Sequence, residues 1–183
     1  MSSKFQLNIA ARVINNNGVI SYPTESVFGL GCSPISEEAV NKILQLKQRP
    51  VEKGLILIAG ELSQLEPYIN INKEEEKKIL NKKTATTWLV KKSPLTPTWI
   101  SGNHSKVAIR LSKHPLITRL CSILNQPIVS TSANPSGANP AMSSLKSRQY
   151  FSTLVDIYLN DNTPLTGQPT SIIDLETSAT IRK

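Results

Sequence analysis

The sequence predicts a single α/β domain built on a mixed sheet, and three observations carry that reading. Apolar residues recur at helical spacing in some segments and as short β-branched runs in others. The two kinds alternate along the chain. No internal repeat or flexible linker divides them, so residues 1–183 read as one domain. Phe5, Ile9, Val13 and Ile14 recur at helical spacing in a first helix, which Asn15-Asn16-Asn17-Gly18 ends. Val19-Ile20-Ser21-Tyr22 is a short strand stopped by Pro23. Ser36 is an N-cap with Glu37 and Glu38 in the first turn behind it, and Val40, Ile43 and Leu44 face inward. The run Leu55–Ala59 is apolar on both faces, as in a strand covered on both sides.

The charged stretch 73–83 keeps only Ile79 and Leu80 as apolar anchors and predicts a solvated helix. Thr86–Val90 and Val107–Leu111 predict strands, and Pro115 opens a helix carrying Leu116, Leu120, Ile123 and Leu124. Ile128–Ser132 predicts a strand, Ser143–Tyr150 a helix, and Leu154–Leu159 and Ser171–Asp174 two further strands.

Composition excludes some classes of function. The longest unbroken apolar run has five residues, far below a membrane span, so no membrane partner is expected. The amino terminus has neither an apolar core nor a cleavage signal, which predicts a cytoplasmic protein. Cys32 and Cys121 stand outside any metal-ligand spacing and read as reduced, semi-buried thiols. His104 and His114 read as surface residues rather than metal ligands. Twenty-one Lys and Arg against 13 Asp and Glu give a formal charge of +8, which favours polyanions but does not separate one nucleotide from a long RNA.

Four clusters could carry chemistry. Ser130-Thr131-Ser132-Ala133-Asn134-Pro135-Ser136-Gly137 crowds hydroxyls, an amide and a glycine at a strand's carboxyl end. Such a loop either approaches phosphate or carboxylate oxygens, or satisfies its own backbone. Tyr22–Gly31 offers Thr24, Glu25 and Ser26 ahead of two glycines, with the same two readings. Lys47, Arg49 and Lys53 leave a helix that Pro50 forbids to continue; they either converge on a triphosphate or form a solvated basic helix end. Arg110 lies inside an apolar strand and demands a carboxylate, from the protein or from a ligand, unless its strand is an exposed edge. There is no Walker A pattern and no Gly-x-Gly-x-x-Gly after a strand. Two loop histidines give no catalytic triad, so a side-chain nucleophile is not expected.

These elements, in this order, resemble the YrdC/Sua5 family in its short bacterial form. The matching segments are Ser21–Cys32, Leu46–Ile58, Ala108-Ile109-Arg110, Ser130–Gly137 and Pro169–Asp174. The resemblance implies a strongly twisted mixed sheet with flanking helices around a concave, basic cavity. It also implies an adenylate-forming nucleotidyltransferase, in which L-threonine, bicarbonate (or CO2) and ATP give threonylcarbamoyl-AMP and pyrophosphate. The product then passes to a tRNA threonylcarbamoyltransferase complex that modifies the adenosine beside the anticodon of tRNAs reading ANN codons. By the same resemblance Lys47, Arg49 and Lys53 hold the ATP phosphates with Mg2+ as companion ion, Lys47 and Arg49 acting in catalysis. Ser130, Ser132 and Asn134 line the nucleotide and carbamate region, Ser132 touching substrate as well. Thr24 and Arg110 bind threonine, Arg110 through the carboxylate, and Arg182 lies near the nucleotide.

Two departures from the family pattern stand out. Where the family has Trp-Pro-Gly-Pro-x-Thr, this chain has Lys83-Thr84-Ala85-Thr86-Thr87-Trp88, which removes a rigid turn from the cavity rim. A length of 183 residues also leaves no room for the extra carboxyl-terminal domain of the long family form. Two competing readings follow from the same residues. One is a non-catalytic RNA-binding or ribosome-maturation protein using the basic cavity, against which stand the absent RNA-module motifs and 5% aromatic content. The other is the carbamoyl-adenylate-forming domain of hydrogenase maturation factors, which requires partner domains that this length does not hold.

Overall fold

The computed structural model describes residues 3–161 and 164–182. Among them lie helices α1 (Lys4–Asn15), α2 (Glu37–Lys47), α3 (Lys73–Asn81), α4 (Thr98–Ser101), α5 (Pro115–Leu124) and α6 (Ser144–Phe151). The strands are β1 (Ile20–Pro23), β2 (Phe28–Gly31), β3 (Ile56–Ala59), β4 (Thr86–Lys91), β5 (Lys106–Leu111), β6 (Ile128–Ser132), β7 (Ile157–Tyr158), β8 (Ser171–Asp174) and β9 (Thr180–Arg182). They form one twisted mixed sheet in the order β7-β1-β2-β6-β3-β5-β4-β8-β9. Parallel pairs (β1 with β7, β3 with β5, β4 with β8) are interleaved with antiparallel ones.

Local chemistry explains most boundaries. Ser3 and Gln6 close a capping box at the start of α1, and Asn72 with Glu75 closes another on α3. In α3 only Ile79 is buried; Leu80, expected as a second anchor, faces solvent. The helix α2 ends at Gln48 in the left-handed conformation, with Arg49 N–H donating to Leu44 O at 2.9 Å.

Strand alternation sorts the core into two layers. Phe28, Leu30, Leu57, Ile109 and Val129 pack with α2 on one side. Ile20, Tyr22, Ile58 and Ile128 pack with α1 and α5 on the other. The register places Ser130, Ile56, Ala108 and Leu89 in one row across β6, β3, β5 and β4, on the same face as Ile58 and Arg110. That face is covered by α1 and α5 at one end and opens as a cavity at the other.

Phe28–Gly31, to which the sequence assigns no element, folds back as β2, pairing Tyr22 with Gly29. Three further expectations are corrected. The strand expected over Leu154–Leu159 shrinks to Ile157–Tyr158, because Leu154 closes a 3-10 turn and only Ile20 and Ser21 of β1 pair with this edge. His114 is buried, not on the surface; its Nδ1 accepts from Leu116 N–H at 3.3 Å and so caps α5. Cys32 and Cys121 are fully buried free thiols rather than half-buried ones, and burial pushes Cys121 up to about 12.

Candidate active site

A cavity of about 530 Å³ lies on the open half of the sheet face. Its size suits a small-molecule ligand. Of the residues singled out from the sequence, Thr24, Arg49, Lys53, Arg110, Ser130, Ser132 and Arg182 line it. Among its described lining residues there is no carboxylate. Leu55, Leu89, Ile100 and Val107 supply an apolar wall between the polar groups.

Arg110 stands at one pole. Strand β5 turns Val107, Ile109 and Leu111 to one core layer and Ala108 and Arg110 to the cavity face. The side chain is buried, and its guanidinium pairs with Glu25 through Nη2. Glu25 also accepts from Ser112 Oγ at 2.6 Å and Lys113 N–H at 3.2 Å. Burial pushes the Glu25 carboxyl up, but the Arg110 charge and the Ser112 hydrogen bond outweigh it and hold the group below its usual range. Among the described residues Arg110 Nε is buried without a partner and only Nη2 is bonded, so the guanidinium is not fully committed to Glu25.

The opposite pole is built from Arg49 and Arg182. Arg49 Nη2 donates to Gly54 O at 2.9 Å and Lys53 O at 3.2 Å; Arg182 Nη2 donates to Thr170 O at 2.9 Å. Burial, and then the Arg182 charge, lower the Arg49 pKa from its ordinary value. Among the described residues no carboxylate pairs with either arginine. Two guanidiniums held only by carbonyls form a strong anion site. Lys53 projects from the exposed 3-10 turn Val51–Lys53 beside them.

The remaining candidates stand differently. Thr24 lines the cavity, yet its hydroxyl donates to Val27 O at 2.8 Å and accepts from Ser26 N–H at 3.1 Å, which closes the β1–β2 turn. Lys47 is not among the lining residues. Its ammonium donates to Ser132 O, to Asn134 O at 2.8 Å and to Ser132 Oγ at 3.4 Å. Burial, and then Arg49, lower it to about 8. Asn134 also lies off the lining, donating its amide to Ala138 O at 2.7 Å and Pro135 O at 3.0 Å. Lys47 and Asn134 therefore shape the Ser132–Ala138 loop. Serine 136 N–H docks that loop on Lys47 O at 2.9 Å, the carboxyl end of α2.

Sequence reasoning gave no separate role to His104, Lys106 or Thr170, which also line the cavity. Lys106 is tied to Asp174 at 2.7 Å and Glu176 at 3.0 Å. His104 Nε2 meets Glu52 O at 2.7 Å. His104 and Lys106 carry no local signal in the sequence, and Thr170 none beyond its place in the matching segment Pro169–Asp174. Where the family turn departs, Thr87 lies buried with its Oγ1 3.0 Å from Thr170 Oγ1, a hydroxyl pair that ties β4 to the segment before β8.

Comparisons with known proteins agree with this architecture. The Sua5/YciO/YrdC family model, described as "Telomere recombination", matches residues 12–183. A threonylcarbamoyl-AMP synthase of Acinetobacter baumannii is 43% identical over 181 residues, covering 94% of this chain and 95% of the relative. The threonylcarbamoyl-AMP synthase of Cellvibrio japonicus is 42% identical over 179 residues, covering 97% and 95%. Among solved structures, P. abyssi Sua5 complexed with L-threonine superposes with a TM-score of 0.88 at 28% identity, covering 95% of this chain. This chain spans about half the length of that one, 52%. E. coli YciO has the same fold, with a TM-score of 0.86 at 24% identity over 99% of this chain and 90% of its own. The chain belongs to the Sua5/YciO/YrdC family.

Proposed function

We propose that this protein is a threonylcarbamoyl-AMP synthase, a nucleotidyltransferase that joins L-threonine, bicarbonate (or CO2) and ATP. The observation that carries the reading is one cavity with two cationic poles of different kind, in a chain 43% identical to a protein of that name. The complex of Sua5 with L-threonine supports an amino-acid site in the shared fold.

The chemistry fits the groups present. The threonine amine adds to CO2 and loses a proton, giving a carbamate. A carbamate oxygen attacks the α-phosphorus of ATP, the bond from that phosphorus to the bridging oxygen breaks, and pyrophosphate leaves. Two anions must be aligned while charge on the phosphoryl oxygens is stabilised, and no protein nucleophile is required. Arg49 and Arg182, with Lys53, would hold the triphosphate, and Arg110 would take the threonine carboxylate. Lys47 and Asn134 would act by holding the Ser132 loop. The described lining offers Mg2+ no carboxylate, so the phosphates themselves would be its ligands, the ion neutralising charge on the leaving group.

We further propose that residues 1–183 work as one unit in the cytoplasm, supported by the single continuous sheet and two free thiols. No helix among the described residues is long and apolar enough to cross a membrane. The product would pass to a tRNA threonylcarbamoyltransferase complex. The test is pyrophosphate release by purified protein with ATP, Mg2+, L-threonine and bicarbonate, omitting one component at a time. Release should require all of them; release indifferent to threonine would refute the assignment.

A further inference from the structure

Resting on that reading, we propose that Tyr22, a fully buried residue outside the cavity lining, is a positioning residue that sets Ser130 as a hydrogen-bond donor to the carboxylate-bearing substrate. Tyr22 Oη donates to Ser130 Oγ at 2.8 Å. Two residues on β1 and β6 achieve this although β2 lies between their strands. The crossing is possible because β2 presents only Gly29 and Gly31 on that face, while Phe28 and Leu30 point into the opposite core layer. A Cβ on Gly31 would lie 2.8 Å from Tyr22 Cε1 and 2.7 Å from Val129 O; one on Gly29 would lie 3.4 Å from Tyr22 Cζ. Neither glycine has positive φ, so their use here is bare surface rather than backbone freedom.

The hydrogen bond has a direction with consequences. A hydroxyl has one proton to give. Burial raises the Tyr22 pKa far above its usual value, so the phenol stays protonated and donates. Ser130 Oγ accepts from Tyr22 and donates to nothing among the described residues, while lining the cavity. Its own proton is therefore left for a ligand acceptor. Arg110 lines the same cavity, and only its Nη2 is engaged by Glu25 among the described residues. The two donors belong to strands that both flank β3, with Ser130 opposite Ile56 and Arg110 opposite Ile58. A carboxylate or carbamate is the kind of acceptor that a hydroxyl and a guanidinium both favour.

The test is a double-mutant cycle with Tyr22→Phe and Ser130→Ala in the pyrophosphate assay, with threonine and ATP varied separately. Tyr22→Phe keeps the ring and removes only the hydroxyl. Its KM for threonine should rise about tenfold, with the KM for ATP unchanged. Ser130→Ala should do the same, and the double variant should be no worse than Ser130→Ala alone. A multiplicative loss in the double variant, or an unchanged threonine KM in Tyr22→Phe, overturns the proposal. Should Tyr22→Phe not fold, Ser130→Ala with an unchanged threonine KM overturns it equally. A wild type that releases no pyrophosphate with threonine is a separate result, which removes the functional reading itself.

Discussion

The two poles of the cavity hold their arginines in opposite ways. Arg110 is already paired with Glu25, which engages its Nη2. Among the described residues Arg49 and Arg182 are held by backbone carbonyls and by no carboxylate. A pre-neutralised arginine can orient one carboxylate without attracting a polyanion. An uncompensated pair attracts the most highly charged ligand available. On the proposed function, that difference would let one small cavity sort an amino acid from a triphosphate.

Breaking the uncompensated pole should have the largest effect. Arg49→Ala should lower pyrophosphate release by about 100-fold, the worth of a desolvated charge-assisted contact or two. Circular dichroism should show a folded protein, because the side chain bonds only to nearby carbonyls. Full activity in that variant would remove its phosphate role. At the other pole Arg110→Ala should raise the threonine KM about 30-fold and leave the ATP KM nearly unchanged. An equal rise in both constants would erase the distinction between the poles.

The smallest effect sharpens the comparison through stability rather than turnover. Glu25→Gln should cost about 2 kcal/mol in chemical denaturation at pH 7, less than a fully buried pair because Glu25 is partly exposed. The sign with pH follows from the depressed Glu25 pKa. Its contribution is present above the unfolded value of about 4.3 and is lost as pH falls through the lower folded value. Stability of the wild type should therefore fall more steeply than that of Glu25→Gln below about pH 4.3. Parallel curves would show that the ion pair is not what stabilises this end.

Much of this was legible in the residues. Apolar spacing marked α1, the Ser36 cap and its apolar stripe α2, the charge run α3 and Pro115 α5, while an arginine among Val107, Ala108 and Ile109 asked for a carboxylate from the protein or from a ligand. That the partner is Glu25 could not be read, because the two are 85 residues apart and meet only through the sheet order. β2 escaped notice because Gly29 and Gly31 have poor strand propensity, and their reason for being there is a tyrosine on the neighbouring strand. Lys47 was legible as a cation but not as one facing carbonyls, since the direction of a side chain leaving a helix end depends on the loop that docks there. His114 looked like a loop residue because a histidine cap leaves little trace beyond the Pro115 that follows it.

The sheet order has a kinetic consequence. β1 waits for Ile157 as its outer neighbour, β4 waits for Ser171, and Arg182 arrives on the last strand described. The cavity thus draws on residues from Thr24 to Arg182, joined by pairings of high sequence separation. Such contacts form only after long loops have closed, which slows folding. Capacity to bind nucleotide should consequently return with the slowest refolding phase, after helical signal has recovered, so partly folded chains would carry helices and no enzyme.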